Sequence, residues 1–174
     1  AGLLLALAWT LPGCSGSGGT SASDGLVLVQ VVGDSTDIVR ARLSDGAVQP
    51  VTRSADRDEI WPYWSETAKR LVFQVTGGKG QSALVLWSEA RGEQLLGDTK
   101  NHEERWPAWS PVAPTLAYAI LGDDVPRSGI ALADFGSGEH QLLARGGPRN
   151  VFLRPSWSPD GSLLVSQRRL GSGR

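Results

Sequence analysis

Arg154-Pro155-Ser156-Trp157-Ser158-Pro159-Asp160-Gly161 decides the fold, because two earlier stretches repeat its pattern. They read Trp61-Pro62-Tyr63-Trp64-Ser65 and Trp106-Pro107-Ala108-Trp109-Ser110-Pro111. Trp64 and Trp109 stand 45 residues apart, and Trp109 and Trp157 stand 48 apart. A fixed period of this size marks a propeller, a solenoid or an array.

Working outward, each copy leads into an apolar run: Leu71 to Val75, Leu116 to Ile120, and Leu163 to Val165. An earlier run, Leu26 to Val32, lies in the same phase, so the repeat begins before its first tryptophan motif. After each run come a turn and a second apolar stretch, at Asp37 to Ala41, Ala83 to Trp87, and Ile130 to Ala133. Weaker third stretches follow at Val48 to Thr52, Glu93 to Leu96, and His140 to Leu143. Counting the tryptophan motif, one period holds four short extended segments split by Gly, Asp and Ser, which predicts antiparallel meanders. Near-continuous Leu/Val runs predict strands covered on both faces, as when each sheet is packed between two neighbours. No helical periodicity competes within the repeats.

The motif has a mechanical reading. In Ser158-Pro159-Asp160-Gly161 the proline presets the first central dihedral, the aspartate caps its own backbone, and the glycine takes the conformation other residues resist. Pro155 is expected to start a strand, where a missing N–H is tolerated. Trp64, Trp109 and Trp157 are expected to wedge between adjacent sheets. A buried Trp hides roughly 150–250 Å², worth about 4–6 kcal/mol at about 25 cal/mol per Å².

On these residues the chain resembles the TolB-type β-propeller repeat, whose signature is Pro-x-Trp-Ser-Pro-Asp-Gly before an apolar strand. The third copy matches it through Asp160 and Gly161; the second keeps Pro107 and Trp109 but has Val112-Ala113 where Asp-Gly would stand; the first keeps Pro62, Trp64 and Ser65. The resemblance covers residues 26 to 168 and implies an all-β propeller of four-stranded antiparallel blades. It also implies that the tryptophan motif is the innermost strand of each blade. About three and a half blades are present, so the sequence is expected to be a fragment of a larger ring.

The ends read differently. Leu3 to Trp9 is apolar but too short to span a bilayer, and Leu11-Pro12-Gly13-Cys14 follows it. Residues 1–13 read as a secretory signal lacking its n-region, and the form resembles a bacterial lipoprotein signal, which implies an acylated Cys14. Residues 14–24 read as a flexible tether, and 25–174 as the partial propeller. The lack of an Asp after Cys14 points, within the lipoprotein pattern of double-membraned bacteria, to the outer membrane, facing the periplasm.

The 17 basic and 18 acidic residues nearly cancel, and no basic run with interleaved aromatics occurs, which argues against nucleic acid. No catalytic motif, metal-ligand spacing or phosphate loop is present, so no catalytic residue, metal or cofactor is expected. His102, His140 and the Asp123-Asp124 pair read as solvated surface groups.

The ring's inner face remains. Arg53 to Ile60, Asp98 to Arg105, and Arg145 to Leu153 are expected to rim a central channel. There, Trp61, Trp106 and Arg154 occupy one equivalent position, each just before the motif's proline. Trp and Arg are favoured binding anchors; the plainer alternative is that the two tryptophans pack on the neighbouring blade. Three functions fit: a non-enzymatic, lipid-anchored scaffold for an envelope protein, the gating propeller of a serine peptidase, or a glycan-binding propeller.

Overall fold

The computed structural model describes residues 25–77, 82–97, 102–122, 128–147 and 150–170. Cys14 and Asp123-Asp124 lie outside them. The described residues form thirteen strands and no helix.

The strands group by period. The first blade holds β1 (Gly25–Val32), β2 (Ser35–Arg42) and β3 (Val48–Pro50). The second holds β4 (Asp58–Ser65), β5 (Arg70–Thr76), β6 (Ser82–Ser88) and β7 (Gly92–Leu95). The third repeats it with β8 (Glu103–Trp109), β9 (Thr115–Leu121), β10 (Gly129–Asp134) and β11 (His140–Arg145). A fourth contributes β12 (Asn150–Trp157) and β13 (Leu164–Leu170). Pairing within each blade is antiparallel, in sequence order. One parallel bridge, Thr36 to Asp58, ties the first blade to the second. This is the four-segment propeller period expected from the sequence.

Burial follows the packing. The middle strands β5, β6, β9 and β10 are buried over most of their length, whereas β3 and β7 are exposed throughout. Middle strands have sheets on both faces, which is why their side chains do not alternate. Inner strands meet directly: β4 packs beside β8, and β8 beside β12.

Adjacent junctions differ in how they close. Between the second and third blades, the cross-strand row Val72–Leu86–Gln94 belongs to one blade and Trp109–Leu116–Ala133 to the other. Trp109 is fully buried there in a cluster with Val72, Leu84, Leu86 and Tyr118. Between the first and second blades the same rows read Val27–Arg40–Gln49 and Trp64–Leu71–Trp87. Arg40 thus replaces an apolar Leu and Trp87 a small Ala, and a cleft of about 340 Å³ opens beside the half-buried Trp64. Trp157 is also half-buried, and its indole N–H donates to the Ala108 carbonyl at 3.0 Å. The three tryptophans therefore span junctions, but Trp109 alone among them is fully enclosed.

The Ser158–Gly161 turn forms as its residues dictate. The Gly161 amide donates to the Ser158 carbonyl at 2.9 Å with φ at +69°. The Ser158 hydroxyl donates to the Asp160 carboxylate, and with the Ser162 amide it holds that carboxyl down at about 2.

Candidate functional site

Each inner strand carries one irregularity, at the same place. In β4, Ile60 pairs with Gln74 and Tyr63 with Val72, so Trp61 and Pro62 together oppose one partner residue. The register slips identically in β8 between Arg105 and Ala108, and in β12 between Leu153 and Ser156. The first bulge residue is Trp61, Trp106 or Arg154, with φ of 55°, 52° and 50°. A bulge of this conformation ordinarily has glycine there, because a side chain at positive φ crowds its own backbone. Holding a non-glycine residue so costs about 1–3 kcal/mol, and the fold bears it three times.

The proline follows from the same geometry. Pro62, Pro107 and Pro155 sit inside their strands at the bulge, not at strand starts as expected for Pro155. The ladder is interrupted at that point, so a missing N–H costs nothing extra. Likewise the strands begin before the tryptophan motif, taking in residues 58–60, 103–105 and 150–153 of the expected rim.

The bulges aim three side chains along neighbouring inner strands. Trp61 is 42% exposed and Arg154 is exposed, while Trp106 is half-buried. Neither tryptophan belongs to the apolar core clusters. The guanidiniums of Arg105 and Arg154 each lie 5.9 Å from the Trp106 ring centroid, within cation–π range. Arg105 is paired with Glu103 at 2.7 Å, whereas Arg154 makes no ion pair among the described residues. The Trp106 amide donates to Gln74 Oε1 at 3.3 Å, tying this bulge to the blade before. The position thus combines a half-open indole, an exposed indole and an unpaired cation along adjoining strands.

Two residues before each tryptophan lies a buried acid, Glu59 or Glu104. Glu59 is satisfied. Thr52 Oγ1 donates to one carboxylate oxygen, and Ser54 Oγ and the Arg57 guanidinium donate to the other. Glu104 is not so held, and burial pushes its carboxyl up to about 7 against the pull of the Leu84 amide. His102, read from sequence as a surface group, is largely enclosed beside it, with Nε2 3.7 Å from Glu104 Oε1. Glu59-Ile60-Trp61 and Glu104-Arg105-Trp106 share a Glu–x–Trp spacing that marks the position in the sequence, but the spacing does not show that the acid is buried. His140 is exposed, as its sequence suggested.

No protein-family model matches the sequence, and no curated protein matches it significantly. Solved structures match by shape. TolB from Acinetobacter baumannii superposes with a TM-score of 0.64 at 19% identity, over 86% of this chain and 36% of that one. A prolyl endopeptidase gives 0.64 at 14% identity, over 89% and 26%. A chain of a nidogen/laminin complex gives 0.57 at 14% identity, over 83% and 52%. The chain therefore spans about a quarter to a half of these proteins. At such identities the likeness speaks to fold, and the fold is that of a TolB-like β-propeller, without close orthology to TolB.

Proposed function

We propose that this chain is the propeller part of a non-enzymatic, lipid-anchored envelope protein that binds a protein partner on its inner face. Three strained bulges carry this reading, because strain that survives at three equivalent positions is kept for what it presents. Trp61, Trp106 and Arg154 are residue types that dominate binding energy at interfaces. The likeness to a component of the nidogen/laminin complex supports a protein ligand, and the resemblance to the TolB-type repeat implies a bacterial envelope setting. Retention of a partner by a folded Trp61→Ala/Trp106→Ala protein would sink the reading. The anchor rests on Cys14: in the full-length protein, Cys14→Ser should abolish acyl labelling and release the protein from the membrane fraction. Labelling that persists without Cys14 contradicts the anchor but leaves the binding face standing.

A second reading is favoured by the match to a prolyl endopeptidase at a TM-score of 0.64. A propeller of this kind can gate access to a peptidase domain elsewhere in the protein. A nucleophilic serine with ordered Asp and His partners in the full-length sequence would decide for it.

A further inference from the structure

Successive blades face one problem and solve it with different chemistry. Each link between blades must be tied back to the blade it leaves. At the first junction the Ile38 amide of β2 donates to Thr52 Oγ1 at 2.8 Å, and Thr52 passes the bond on to Glu59. Arg57 then grips Glu59 Oε1 through Nε at 2.9 Å and Nη2 at 2.7 Å, and reaches Glu93 at 2.7 Å. The cation here is fixed, since a guanidinium does not give up its proton in proteins.

Forty-five residues on, Gly97 stands at the place of Thr52, His102 at that of Arg57, and Glu104 at that of Glu59. The missing side chain at Gly97 makes room for the acid, since a Cβ there would lie 2.6 Å from Glu104 Oε1. The Leu84 amide of β6, counterpart of Ile38, now bonds the Glu104 carboxyl directly. The fixed cation has become an imidazole, which unlike a guanidinium can be neutral or charged. Its Nε2 lies at 3.7 Å, too far for a hydrogen bond. Among the described residues, Glu104 Oε2 and His102 Nδ1 are buried with no hydrogen-bond partner.

We propose that the His102–Glu104 pair is a proton-operated latch on the junction between the second and third blades, with the Arg57–Glu59 pair as its permanently closed counterpart. A proton on the pair removes the bare buried carboxylate, and the link then stays tied to Leu84. Loss of the proton leaves a buried charge with no cation against it among the described residues, and the link loosens. Among the described residues, the other ionisable groups around Glu104 do not replace the proton. Arg105 is engaged by Glu103, and Arg154 of β12 lies over the Trp106 ring. The Tyr118 phenol on β9 is pushed up to about 12 by burial and by Glu104, so it stays neutral. From the second blade, Leu84 and Gly97 bring no charge.

The sign follows from the acid. When closed, Glu104 keeps its proton up to about 7; when opened, it releases it near the ordinary value of 4.5. The closed junction therefore binds more protons than the open one between those values. Closing weakens as pH rises through that window, by up to about tenfold per unit, and levels off above it. Trp106 lies two residues from Glu104, so the bulge on the inner face inherits this response. That consequence rests on the binding role given above; the response of the junction does not.

Amide hydrogen exchange in the full chain tests it, with protection factors of Leu84 and Ile38 followed from pH 5 to 8 after correction for intrinsic rates. Leu84 protection should fall by at least tenfold between pH 5 and 7.5, while Ile38 protection, guarded by the Arg57–Glu59 pair, holds steady. His102→Arg should flatten the Leu84 profile, as should Glu104→Gln, which has no proton to lose. Equal pH profiles at the two amides, or a slope that persists in either folded variant, overturns the latch. A flat Leu84 profile with an intact inner-face partner interaction would remove the latch and leave the binding role untouched.

Discussion

At the scale of single residues, strain separates Trp61, Trp106 and Arg154 from ordinary surface groups. An exposed Arg with φ of 50° gains little packing to repay its backbone conformation. Replacing it with glycine, which adopts that region freely, removes about 1–3 kcal/mol of strain. It adds back up to about 1 kcal/mol of unfolded-chain entropy. Arg154→Gly should therefore be neutral to stabilising by about 1 kcal/mol in urea unfolding, although it deletes the guanidinium over Trp106. A loss of more than about 1 kcal/mol would mean that the side chain serves the fold instead. The equivalence of the three positions was legible, because three phased copies place them in one column. Their conformation was not: Trp-Pro and Arg-Pro do not advertise a positive φ, and only the slip in strand register exposes it.

At the scale of the element, the blade was readable almost strand by strand, since apolar runs and turn residues alternate at short intervals. The bulge was the part that local chemistry hid, so proline looked like a strand start when it sits mid-strand. His102 was misplaced for a related reason. It lies beside Glu104, which fits because Gly97 lacks a side chain and which reaches across a junction, and the pairing of Gly97 with Glu104 is not visible in the local sequence. The junctions themselves can be ranked. Trp109 is 1% exposed and touches Phe135 at 5.2 Å between ring centroids, so Trp109→Ala should cost about 3–5 kcal/mol. Half-buried Trp157 should cost clearly less, about 1–2 kcal/mol, chiefly for its bond to Ala108. Urea midpoints of the two variants, compared at equal slope, check the order; a larger loss at Trp157 would contradict the junction account.

At the scale of the whole molecule, fold and function part company. The repeat writes the propeller into the sequence three times, and the same architecture recurs in TolB, a prolyl endopeptidase and a nidogen/laminin complex. A shared fold does not choose among those roles. Under the proposed function the choice falls to the inner strands, where the Arg154 guanidinium lies over the Trp106 ring without an ion pair among the described residues, and Trp61 holds the equivalent bulge of β4. Near-neutral net charge leaves the chain without a strong overall field, so the proposed recognition rests on these local anchors. The direct measurement is the affinity of the full-length protein for the envelope protein proposed as its partner, set beside that of Trp61→Ala/Trp106→Ala with an unchanged melting temperature. Binding-face tryptophans predict a loss of about 100-fold or more. Equal affinities from the two folded proteins would show that the strained bulges do not bind the partner.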